Sequence, residues 1–116
     1  MSNIVDKTSE LAKAIQEDKD YQALLEAGKK LSEDEKTMRH VKEYLTLEAE
    51  LAYAQAVGNK PVRKKLEQLA QAKEIVEKRP LAVEYLQYYR KWNQIGGTIL
   101  STIQGAMAEG LSILDK

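Results

Sequence analysis

The last third of the chain, Leu81 to Leu114, constrains the fold more than any other stretch. Set at about 100° per residue, its large apolar side chains Leu81, Tyr85, Tyr88, Tyr89, Trp92, Ile95, Ile99, Ile103, Met107, Ile113 and Leu114 fall on one side of a helix. Gly96, Ala106 and Gly110 lie among them. Pro80 stands where it can take the first helical position, at which its missing N–H costs nothing. The opposite side carries a second stripe of small residues, Gly97, Ser101, Gly105, Ala108 and Ser112. No Lys, Arg, Asp or Glu occurs between Trp92 and Ala108. An ordinary surface helix places charge there. Glycine costs a helix about 1 kcal/mol per position relative to alanine. The spacing therefore predicts a helix buried on two sides, with another backbone lying close to the small stripe.

Length sharpens this expectation. A helix of about 34 residues is roughly 50 Å long, whereas a compact domain of this size is only about 35 Å across. Either the overhang is covered by another copy or a partner, or the helix breaks at Gly96-Gly97 into two ordinary helices, since a glycine pair is a kink site.

The rest of the chain reads as shorter helices. Ile4, Thr8, Leu11 and Ile15 recur at helical spacing over Asn3 to Glu17, with Ser2 or Asn3 as cap. Asp18 is placed to cap a second helix from Lys19 to about Leu31, whose face carries Tyr21, Leu24, Leu25, Gly28 and Leu31. Ser32, followed three residues later by Glu35, has a capping-box pattern and opens a third helix that ends near Val57. Met38, Val41, Leu45, Ala49, Ala52 and Ala56 form one stripe of that helix, and Tyr44, Leu47, Leu51 and Ala54 another. Gly58-Asn59-Lys60-Pro61 is a turn, with Pro61 opening a fourth helix to about Arg79. No stretch alternates with a period of two. The expected fold is all-α, an oligomeric antiparallel bundle of about five helices with a long C-terminal helix, in one domain spanning residues 1–116.

Composition narrows the functions. Eighteen basic and eighteen acidic residues give a formal net charge of zero, which disfavours a broad grip on nucleic acid or an anionic membrane. The absence of cysteine removes disulfides, thiolate metal sites and thiol nucleophiles. The opening residues MSNIVDKTSE lack an apolar signal core, and no run is apolar and long enough to span a bilayer, so a cytoplasmic protein is expected. His40, the only histidine, has neither a second His nor a Glu-x-x-His partner at helical spacing, so a structural role outweighs a catalytic or metal-binding one. The carboxylates occur at helix starts or as pairs with lysine three or four residues away, which need no catalytic explanation. Neither a nucleophile elbow nor a phosphate-binding glycine loop is present. The expectation is a protein without catalytic residues, metal or cofactor.

Two readings survive. In the first the chain is an interaction module whose oligomer interface is built from Tyr85, Tyr89, Trp92, Ile95, Gly97, Ile99, Ser101, Ile103 and Gly105. In the second the cluster Tyr85, Tyr88, Tyr89, Arg90, Lys91, Trp92 joins the basic spots Arg63-Lys64-Lys65 and Lys78-Arg79 as an RNA-binding surface. Aromatics that share a stripe with isoleucines favour the first.

With the elements in this order, the chain resembles the YlbF/YmcA-like family of small bacterial helical proteins, and more closely its short, cysteine-free YheA-type branch. The resemblance rests on IVDKTSELAKAIQEDKDYQALLEAGKKLSEDE, on VKEYLTLEAELAYAQAVGNKP and on RPLAVEYLQYYRKWNQIGGTILSTIQGAMAEGL, nearly the whole length. It implies an all-helical homodimer or higher oligomer without enzymatic activity. It also implies protein partners among bacterial regulators: better-studied members act as adaptors in a complex that influences ribonuclease Y-dependent RNA processing, competence, sporulation and biofilm formation. The iron–sulfur cluster associated with cysteines in some members does not carry over to a chain that has none. The family offers no active-site motif from which residues could be transferred.

Overall fold

The computed structural model describes residues 2–115. Five α-helices follow one another, α1 (Asn3–Glu17), α2 (Lys19–Ser32), α3 (Glu35–Ala56), α4 (Arg63–Glu77) and α5 (Pro80–Leu111), with a short 3₁₀ turn at Ile113–Asp115. No strand occurs among the described residues. The chain forms two compact units, one of residues 25–86 and the other of residues 1–24 with 87–116.

In the unit of residues 25–86, α3 and α4 pack directly on each other. They run antiparallel: the end of α3 meets the start of α4, where Lys65 pairs with Glu50 at 2.8 Å, and earlier residues of α3 meet later ones of α4. Gly58, at φ +79°, takes the left-handed conformation that reverses the chain after α3. The core gathers Leu31 from α2, Val41, Tyr44 and Leu47 from α3, Ala72 and Val76 from α4, and Ala82 and Leu86 from the first turns of α5. Tyr85 lies across Gly28, whose missing side chain would meet the ring at 3.5 Å.

The start of α3 corrects the capping box. Ser32 belongs to the last turn of α2, where its hydroxyl donates to the Lys29 carbonyl at 2.7 Å. The N-cap is Asp34, whose Oδ1 accepts from the Thr37 amide at 3.1 Å. The cause is local: α2 runs one residue further than the apolar pattern indicates, and a carboxylate is a stronger acceptor for the first-turn amides than a hydroxyl. Thr37 is the one buried polar residue among the described residues, 2 % exposed. Its hydroxyl donates to Asp34 and accepts from Arg79 Nη1 at 3.0 Å. Arg79 precedes Pro80, a position biased away from helix, so the corner between α4 and α5 is tied to the start of α3. Pro61 likewise lies two residues ahead of α4, which begins at Arg63 with Val62 as a cap that makes no side-chain bond.

In the other unit, Ser2 caps α1 by accepting from the Val5 amide at 3.2 Å. Asp18 caps α2 through Oδ2, which accepts from the Asp20 and Tyr21 amides at 2.9 and 3.0 Å. The Tyr21 and Trp92 rings meet at 5.1 Å between centroids, inclined at 56°. Lys91 pairs with Asp20 at 3.0 Å, and this hydrogen bond raises the ammonium above its ordinary pKa. Gly96-Gly97 does not interrupt α5. The helix closes at Leu111 instead, and Ile113 and Leu114 pass into the 3₁₀ turn.

Two outcomes follow from this packing. Leu31→Ala, which empties a core position only 4 % exposed, is expected to cost about 2–5 kcal/mol in denaturant unfolding. Bonds from Thr37, then the Arg79 charge, hold the Asp34 carboxyl below its ordinary 3.8. A carboxyl so depressed stabilises the fold fully above 3.8 and progressively less as the pH falls through its lower folded value. Asp34→Ala is therefore expected to lower the melting temperature at pH 7 and to flatten its decline between pH 5 and 2. Ser32→Ala should leave stability within about 0.5 kcal/mol; an equal loss from both would restore Ser32 as the cap.

Candidate functional site

The nine residues expected at an interface separate along α5. Tyr85 packs against the core of residues 25–86. Trp92 is half-buried against Tyr21, and Tyr89, Ile95 and Ile99 are half-buried as well. Gly97, Ser101, Ile103 and Gly105 are exposed. The chain thus uses the first half of the apolar stripe for its own packing and leaves the second half uncovered.

From Leu100 to Leu111 every residue of α5 is exposed. Leu100 is 61 % exposed, Ile103 43 %, Met107 47 % and Leu111 73 %. These four recur at intervals of three, four and four and so share one face of the helix. The nine-residue set omits Leu100, Met107 and Leu111. Their signal is that same spacing around Ile103. On the small-residue side, a Cβ built at Gly97 or Gly105 meets nothing within 4 Å. The backbone expected to lie there is therefore not supplied by a single chain.

The two threonine hydroxyls of this segment are satisfied locally. The Thr98 hydroxyl donates to the Gln94 carbonyl at 3.1 Å, and that of Thr102 to the Thr98 carbonyl at 2.8 Å. Such bonds to the preceding turn leave few polar demands on a neighbour. A dry contact can form over them without stranding a donor.

The remaining candidates are dispersed. Arg63 pairs with Glu67 at 3.3 Å, Lys65 with Glu50, and Lys78 with Glu74 at 3.2 Å, while Arg79 is committed to Thr37. His40 is half-buried on α3. No group of three His, Cys, Asp or Glu residues able to hold a metal occurs among the described residues. No helix among them is long and apolar enough to cross a membrane. At the tip of the α3–α4 hairpin, an apolar groove of about 230 Å³ lies between Leu51 and Ala54 on one wall and Pro61 and Val62 on the other, with Lys60 and Lys65 at its edge.

No individual curated protein matches the chain. A family model does, over residues 4–108, and it is described as control of competence regulator ComK, YlbF/YmcA. The match runs from the first turn of α1 to within a turn of the end of α5, so it takes in every helix described above. The chain belongs to the YlbF/YmcA family, and its role is regulatory.

Proposed function

We propose that residues 1–116 work as one cytoplasmic, non-enzymatic module that self-associates through α5 and, as an oligomer, joins bacterial regulatory proteins to one another. The cysteine-free sequence supports a place in the YheA-type branch of the family. The observation that carries the proposal is the uncovered half of α5. Leu100, Ile103, Met107 and Leu111 are exposed along one face of it and Gly97, Ser101 and Gly105 along another, with no charged residue from Asn93 to Ala108.

Magnitudes decide what this surface needs. Fully burying a side chain of this size is worth about 1.5–3 kcal/mol. Four of them, about half exposed in the single chain, have roughly 3–7 kcal/mol left to gain, which straddles the lower end of the roughly 4–15 kcal/mol that association costs. A two-fold pair counts the stripe twice, once from each copy, and exceeds that lower end. The small stripe adds close backbone contact in which dispersion acts at short range. Regulation by adaptor action needs no reactive group, only a stable assembly with surfaces left for partners. The RNA-binding alternative has less to draw on, because Trp92 packs at a tilt against Tyr21 and Lys91 is held by Asp20.

Light scattering on the purified protein at micromolar concentration is expected to return a multiple of 13.1 kDa. Gly97→Leu or Gly105→Leu should dissociate that assembly by overpacking while helicity is retained. A folded species of 13.1 kDa for the parent chain overturns the proposal. So does an unchanged mass in both leucine variants accompanied by a gain in stability, which is what an open glycine in a solvated helix gives on substitution.

A further inference from the structure

The α5 contact proposed above leaves a second apolar face of the same unit unassigned, and it lies on α1. None of the fifteen residues of α1 is buried. A free helix of that length is marginal in water and is ordinarily held by packing an apolar face. Such a face is present: Ile4, Thr8, Leu11 and Ile15 share one side of the helix, with Ile4 77 % and Leu11 37 % exposed. Thr8, its one polar member, donates its hydroxyl to the Ile4 carbonyl at 2.8 Å and makes no demand on a neighbour. Asp6, Glu10, Lys13 and Glu17 lie on the opposite side. Lys7, at the edge of the face, pairs with Glu10 at 3.2 Å. A helix that lies on a membrane is rich in Lys and Arg on its polar face; three acids against two lysines suit a protein contact instead.

The size of the α5 surface indicates what covers this face. A stable interface takes roughly 20–30 residues a side, about 800 Å² from each partner. The fully exposed stretch of α5, Leu100 to Leu111, offers only twelve. α1 supplies the further residues, and it belongs to the same compact unit. The two helices meet at one junction: Glu17 ends α1 just before Asp20 and Tyr21, which hold Lys91 and Trp92 of α5. Within this unit the exposed large apolar side chains are Ile4, Val5 and Leu11 on α1 and those from Leu100 onward. The latter are committed to the α5 contact. The apolar face of a second copy that is left to meet α1 is therefore that of its own α1. Two-fold symmetry allows this, because an isologous contact sets the same patch of both copies against each other. We infer that α1 pairs with α1 of a second copy through Ile4, Leu11 and Ile15, extending the interface that α5 begins. This rests on the self-association proposed above and names its second contact surface.

The absence of native cysteine makes the test direct. Leu11→Cys places a thiol near the middle of the face and Lys13→Cys one on the opposite side, in separate preparations. A disulfide needs Cα atoms within about 7 Å. Under mild oxidation Leu11→Cys is expected to give a covalent dimer at several times the yield of Lys13→Cys. Ile4→Gln with Leu11→Gln touches no buried residue, and is expected to raise the dissociation constant in sedimentation by about tenfold or more. Leu11→Met, which keeps the face apolar, should stay within about twofold of the parent. Equal cross-linking from the two cysteine variants overturns the inference. So does a dissociation constant left unchanged by the glutamine pair. If the glutamine pair instead abolishes binding to phosphatidylglycerol vesicles with assembly intact, the inference fails and the face is assigned to an anionic membrane. Failure here with a parent mass still above 13.1 kDa leaves self-association through α5 standing, whereas a monomeric parent removes both.

Discussion

Every buried side chain among the described residues lies between Ala27 and Leu86. That boundary governs the molecule. Within it, three helices and the first turns of a fourth enclose a core of Val, Leu, Tyr and Ala; outside it, α1 and most of α5 have no buried residue at all. Helices of this length are cooperative but gain most of their stability from packing an apolar face. α5 can remain helical beyond Leu86 because it is a direct extension of turns already anchored by Ala82 and Leu86. Its later turns inherit the direction of the helix without inheriting a core.

The anchor itself depends on a polar contact inside an otherwise apolar unit. Thr37 is buried, so its hydroxyl and amide must be satisfied within the protein. Asp34 and Arg79 do this together, one from the cap of α3 and the other from the corner that launches α5. Proline at position 80 prevents α4 from running on, and the arginine before it fixes where the corner sits. Arg79 is thus better understood as the residue that positions α5 than as part of a basic patch. A hydrogen bond between a charged donor and a buried hydroxyl is worth more than an exposed ion pair of similar length.

The features legible in the sequence are those set by neighbours along the chain. The bounds of α1, the cap at Asp18, the glycine turn at Gly58 and the continuous apolar run into α5 all follow from spacing and local chemistry. The sequence misleads where two local signals compete. Ser32 and Asp34 both precede a helical stretch, and only the extent of α2, which tertiary packing of Leu31 determines, shows which of them is free to cap. Pro61 is a good first helical residue in isolation, yet the chain uses it as the wall of a groove. For the candidate site, the stripe of α5 is visible in the sequence, but its division is not. Tyr85 and Trp92 look equivalent to Ile103 on a helical wheel; only the fold reveals that Gly28 and Tyr21 already occupy the first two.

The glycines carry the argument from structure to assembly. Gly28 faces a ring in its own chain, and its size has an evident use there. Gly97 and Gly105 face open space, where alanine would fit and would favour the helix by about 1 kcal/mol at each position. A solitary chain therefore gives up helical stability twice without return. A chain that stands against its own copy recovers it, because a missing Cβ lets two backbones approach within contact of each other, and the uncharged span between Trp92 and Ala108 lets them do so without stranding an ion. The same features that make the later turns of α5 a poor surface for a monomer make them a suitable one for an assembly.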